Sequence, residues 1–150
     1  MNYTSTLPEQ TTRATGPDDG YMLALLRAAG CIQEKLEAEL ESVGLSPAKY
    51  QALDALVRAD QPLALSELAS CLNCVRSNIT QLADRLESDG LVKRVDDPSD
   101  RRAIRAVVTP LGVERHAAGA KVIRDLQTTL AARVAPADRK VLLRVLLALR

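Results

Sequence analysis

Ser77, Asn78, Thr80 and Gln81 crowd together in a stretch whose apolar residues Ile79, Leu82, Ala83 and Leu86 stand at i, i+3, i+4 and i+7. That spacing predicts a helix with one apolar stripe turned to a core. At about 100° per residue, the opposite face carries Ser77, Gln81, Asp84 and Ser88, with Asn78, Thr80 and Arg85 on its flanks. A face meant only for solvent more often carries Glu and Lys. Side-chain amides pair bidentately with adenine, and hydroxyls reach bases or phosphates, so this polar, nearly uncharged face suits the edges of base pairs. Arg76 at the helix start and Arg85 join Ser77, Asn78, Thr80 and Gln81 as candidate contacts.

A second cluster follows. Lys93, Arg94, Arg101, Arg102 and Arg105 gather around the turn Asp96-Asp97-Pro98-Ser99-Asp100. Arginine suits a narrow minor groove, where the potential is most negative. Asp100, two residues before Arg102, is placed to pair with it and aim the guanidinium. The acids Asp96, Asp97 and Asp100 offset three of these five cations, so the hairpin alone would read equally well as an ordinary charged surface. Arg94, Asp100, Arg101 and Arg102 are the candidate contacts here.

The elements that must position these clusters are mostly helical. Residues 1–18 read as a disordered arm with little to bury. A first helix is expected from about Gly20 to Val43, ended by Gly44 in a left-handed cap. Ser46-Pro47 starts a second, which stops before Pro62. A short third spans about Leu65 to Leu72, and the fourth about Arg76 to Ser88. Two strands follow, Leu91 to Val95 and Ala103 to Thr109. Thr109-Pro110 then opens a long fifth helix to about Val134, and Pro136 a sixth. Ala64 and Ala135 fall at expected N-cap positions without a capping side chain, a loss of about 1 kcal/mol each. The expected fold is mainly α: about six helices with a two-stranded β wing.

The run from Leu65-Ser66-Glu67-Leu68-Ala69 to Asn78-Ile79-Thr80-Gln81-Leu82-Ala83-Asp84-Arg85-Leu86-Glu87-Ser88-Asp89-Gly90-Leu91-Val92 resembles the MarR family of transcriptional regulators. So does Asp97-Pro98-Ser99-Asp100-Arg101-Arg102, followed by a strand and Thr109-Pro110-Leu111-Gly112. The likeness covers about residues 20–150 in order of elements, with its specific motifs in 65–112. It implies a winged helix-turn-helix over 45–110 within a domain of 19–150, with 19–44 and 111–150 as dimerisation helices. It also implies a homodimer on pseudo-palindromic double-stranded DNA, released by a small phenolic ligand or an oxidant. In similar proteins effector pockets lie between the dimer base and the reading domain, which makes Tyr21 and Tyr50 candidate lining residues.

Composition agrees with that reading. The net charge of +1 hides 5 basic against 10 acidic residues in 1–75, and 15 against 9 in 76–150. The cationic half holds both clusters, as an anionic partner would require. Seven of the nine residues from Val141 to Leu149 are Val or Leu, more apolar surface than a terminal helix of a monomer can cover. Three Cys and one His argue against a disulfide scaffold or zinc site. No signal peptide or spanning segment is expected, which points to the cytoplasm. Cys71 and Cys74 form C-x-x-C and are a candidate redox switch, since oxidation there would disturb the helix that follows. His116 is expected at the surface. No catalytic triad, paired acids or phosphate loop is legible, so no cofactor or enzyme activity is expected. The competing function is a winged-helix protein-interaction module without DNA binding, which Asp84 on the outer helix face and the acids of the wing would suit.

Overall fold

The computed structural model describes residues 20–72, 76–97 and 103–149. The expected arm 1–18 lies outside them, as do Cys74, Asp100, Arg101 and Arg102. In chain order the elements are α1 (Tyr21–Glu41), α2 (Pro47–Ala59), β1 (Leu63–Ala64), α3 (Leu65–Cys71) and α4 (Arg76–Ser88). They continue with β2 (Val92–Asp96), β3 (Ile104–Val108), α5 (Pro110–Ala131) and α6 (Pro136–Ala148). The chain divides into two compact units, residues 1–34 and 35–150, with α1 running through the division.

The helix ends are set by local chemistry that the sequence announces. At α1, Gly44 takes φ +74°, its N–H donates to Glu41 O, and the Leu45 N–H donates to Leu40 O. Those two bonds satisfy carbonyls that the helix would leave orphaned, and Leu40 and Leu45 are both buried beneath them. The same motif ends α4: Gly90 has φ +71°, and the Leu91 N–H donates to Leu86 O across two buried leucines. At α2, Ser46 Oγ accepts the Lys49 N–H at 3.3 Å, and Pro47 occupies the first turn. Ala64 caps α3 without a side-chain acceptor. Instead Glu67 reaches back, its Oε2 accepting the Ala64 N–H at 2.7 Å.

The sheet corrects one expectation. It has three antiparallel strands in the order β1-β3-β2, where two were expected. Leu63 and Ala64 pair with Ala106 and Arg105, adding a strand too short to show any alternation. In the wing, Val92, Arg94 and Asp96 oppose Val108, Ala106 and Ile104.

In the second unit, Leu40, Leu53, Leu56, Leu68, Ile79, Leu86 and Val92 are the largest fully buried side chains. Burying each stabilises the fold by roughly 1.5–3 kcal/mol before entropy is subtracted. The C-terminal helix is different. α6 buries no residue, and Val141, Leu142, Leu143, Val145, Leu146, Leu147 and Leu149 are 42–60% exposed. In the first unit Tyr21, Met22, Leu23, Leu26 and Ile32 are also exposed. No described helix is long and apolar enough to cross a membrane.

One joint ties the end of α4 to the start of α5. Thr109 Oγ1 accepts the Gly112 N–H at 3.0 Å and lies 2.7 Å from Gly90 O, to which it donates. The Thr109 backbone N–H donates to Leu91 O at 3.0 Å. A Cβ on Gly112 would sit 2.1 Å from that same Leu91 oxygen, so only glycine fits. Gly112→Ala should therefore lower the unfolding free energy by about 1–3 kcal/mol through overpacking, read from the urea midpoint at unchanged slope. A variant as stable as wild type would show that the joint yields freely.

Candidate nucleic-acid interface

The apolar stripe of α4 does what its spacing predicts. Ile79, Ala83 and Leu86 are buried and Leu82 is half-buried, which fixes the roll of the helix. Ser77, Asn78, Thr80, Gln81 and Arg85 are all exposed. Arg76 opens the helix in its backbone, and its side chain lies outside the described residues. Asn78, Gln81 and Arg85 also line a shallow cavity of about 290 Å³ against Ala48 and Gln51 of α2. At the far end of the helix, Lys49 Nζ meets Asp89 Oδ2 at 2.5 Å and braces α4 against α2.

Among the described residues, the basic side chains of the wing divide into two groups that charge counting does not separate. Lys93 is exposed. Arg94 and Arg105 are held by carboxylates of their own chain. Arg94 Nη2 donates to Asp84 Oδ1 on α4, and its Nε lies 3.4 Å from Glu87 Oε2, an ion-pair contact without hydrogen-bond alignment. Arg105 Nε donates to Asp97 Oδ2 at 2.6 Å, and its Nη1 donates to Pro62 O at 3.0 Å. Asp97 is only 6% exposed, so that pairing is sheltered from solvent. The sequence carried a signal for the first pair: Asp84 and Glu87 sit one turn apart on the helix that Gly90 folds back against Arg94.

His116 departs from the surface position expected of it. It is half-buried on α5, where its ring stacks on Tyr50 of α2 with centroids 5.3 Å apart and planes within 10°. Its Nε2 is 3.0 Å from Asp54 Oδ1, whose other oxygen is 2.9 Å from Arg58 Nε. The packing is close because a Cβ on Gly119 would come within 2.7 Å of the Tyr50 ring. Burial, reinforced by the Asp54 carboxylate, raises the Tyr50 phenol above its ordinary pKa, so it stays neutral at physiological pH. Tyr21 lies in the first unit and is exposed. Cys71 is exposed at the end of α3, on the wall of an open cavity of about 600 Å³ shared with Gln51, Arg58 and Leu63. Among the described residues no group of His, Cys, Asp and Glu is placed to hold a metal.

This architecture has clear relatives. A family model described as MarR family matches residues 43–103. The HTH-type transcriptional regulator PrsX of Escherichia coli is 32% identical over 121 residues, spanning 75% of this chain and 73% of PrsX. Among solved structures, the transcriptional repressor CouR bound to a 23-mer DNA duplex is 29% identical with TM-score 0.75, covering 84% of this chain and 89% of CouR. AbsC, a MarR family transcriptional regulator from Streptomyces coelicolor, is 25% identical with TM-score 0.76, covering 90% of this chain and 93% of AbsC. The chain belongs to the MarR family of transcriptional regulators. Its relatives and its fold are those of regulators, not enzymes.

The geometry separates residues that hold α4 from residues that α4 displays. Ile79→Ala should cost about 2–5 kcal/mol of stability, as large-to-small changes in a core do. Gln81→Ala should stay within about 0.5 kcal/mol of wild type. Urea unfolding of both variants checks this, and equal losses would mean that the outward face is a packing face.

Proposed function

We propose that the protein is a homodimeric, sequence-specific DNA-binding regulator that reads a pseudo-palindromic promoter site. The single observation carrying this reading is the outward face of α4, where Ser77, Asn78, Thr80 and Gln81 are exposed while the helix is anchored by buried Ile79, Ala83 and Leu86. In this reading the N-terminal half of α4 enters the major groove and places amides and hydroxyls against base edges. The wing, whose two strands are joined in the sequence through Arg101 and Arg102, lies along the neighbouring minor groove. That the structural neighbour CouR is bound to a 23-mer DNA duplex supports DNA as the partner.

Pairing is supported by the bare apolar surface of α6. Seven Val and Leu side chains left 42–60% exposed are a surface that a second copy would cover. Two-fold pairing through helices at the chain ends sets two recognition helices about 34 Å apart, one turn of DNA. Release by a small phenolic ligand near Tyr50, or by oxidation at Cys71 and Cys74, completes the proposal. The interaction-module reading loses its main support in Asp84, because Arg94 holds that carboxylate.

Three measurements test these points. In anisotropy titrations against the protein's own upstream intergenic DNA, Gln81→Ala should erode sequence preference more than non-specific affinity. Arg102→Ala should weaken binding to all sequences and shrink the salt slope by about 0.9. Wild-type behaviour in both variants would defeat the assignment of reader and wing. Leu143→Glu combined with Leu147→Glu should turn a sedimenting dimer into a monomer that no longer binds DNA tightly; a persistent dimer would place the interface elsewhere. Cys71→Ser with Cys74→Ser should abolish peroxide-induced release, and unchanged release would exclude that pair.

A further inference from the structure

Arg94 stands mid-strand in β2, opposite Ala106, and its guanidinium turns back onto α4. Nη2 donates to Asp84 Oδ1, and the backbone N–H of the same residue donates to Glu87 Oε1 at 3.3 Å. Glu87 Oε2 lies 3.4 Å from Arg94 Nε. Two carboxylates one helical turn apart thus hold both the side chain and the main chain of a single wing residue. The Arg94 side chain is 22% exposed against 57% for Asp84, so the cation is the more enclosed partner. Asp84 shares the outer face with Ser77 and Gln81, where a bare carboxylate would repel phosphate.

We propose that Arg94 is a positioning residue for DNA reading: it sets the angle between α4 and the wing and cancels the acids of α4, without itself touching DNA. The inference rests on the DNA-reading proposal above. Arginine suits the role because its planar fork spans two carboxylates, whereas a lysine ammonium serves them as a single point charge. A phosphate-contacting Arg94 would behave in the opposite way. Removing the acids would then free the guanidinium and tighten binding.

The full-length protein first selects a duplex from a random-sequence library, and affinity for that duplex is compared with affinity for poly(dI-dC) across a salt series. Wild type, Arg94→Ala, Arg94→Lys, Asp84→Asn and the Arg94→Ala/Asp84→Asn double variant are compared, with hydrogen exchange recorded on each free protein. Arg94→Ala should reduce the preference for the selected duplex about tenfold, within the range for side chains sharing one contact, while its salt slope on poly(dI-dC) stays at the wild-type value. Arg94→Lys should fall between, and the double variant should lose no more than Arg94→Ala alone. Amides across residues 84–96 should exchange faster in free Arg94→Ala. If that variant does not fold, Arg94→Lys and Asp84→Asn carry the same comparison. A slope lowered by about 0.9 together with tighter binding by Asp84→Asn would overturn the proposal in favour of a phosphate contact. Unchanged preference and unchanged exchange would overturn it outright. Failure of the wild type to select any duplex would defeat the DNA reading and this inference with it, and that result is seen before any variant is compared.

Discussion

Burial of Ile79, Ala83 and Leu86 beneath α4 fixes which way the rest of that helix faces, and the regulator's chemistry depends on it. A helix can roll freely only if its apolar stripe is weakly held, and three buried side chains hold this one. The end of the stripe is locked further by the turn at Gly90, where the Leu91 N–H closes onto Leu86 O. Thr109 and Gly112 then join that turn to α5, with no room for a side chain against the Leu91 carbonyl. A close backbone contact thus joins the start of α5 to the turn that ends α4. That contact links α5 mechanically to the helix proposed to read DNA.

Electrostatics refine the same surface. A count of basic side chains treats the wing as one cationic patch. The structure assigns Arg94 to the acids of α4, and Arg105 to Asp97 and the Pro62 carbonyl. Arg94 fastens β2 to α4, while Arg105 ties β3 to Asp97 at the end of β2 and to the Pro62 carbonyl ahead of β1. A surface pair such as Arg94–Asp84 contributes little stability, about 0–1 kcal/mol, so its value lies in geometry. The polar face of α4 carries its one acid, Asp84, paired with Arg94.

Much of this was legible in the sequence because it rests on local chemistry. Gly44, Gly90, Ser46-Pro47 and Thr109-Pro110 mark helix ends through bonds formed within a few residues, and the ends fall where those residues place them. The roll of α4 was legible because periodicity reports burial directly. What escaped depends on residues distant in sequence. β1 is two residues long and exists only because β3 offers it partners. His116 packs on Tyr50 because Gly119 opens space for the ring, a fact of α2–α5 proximity that no window around residue 116 contains. The partners of Arg105 were hidden for the same reason, since composition counts charges but does not pair them, whereas the spacing of Asp84, Glu87 and Gly90 carried a signal for Arg94.

The most direct test of the central claim is a map of amide chemical shifts in the isotope-labelled protein as a duplex from its upstream intergenic region is added. The account predicts that the largest changes fall on residues 76–85 and on the wing, with the buried positions 79, 83 and 86 moving less than 77, 78 and 81. Changes centred on another surface, or an α4 that stays silent while DNA binds, would contradict it.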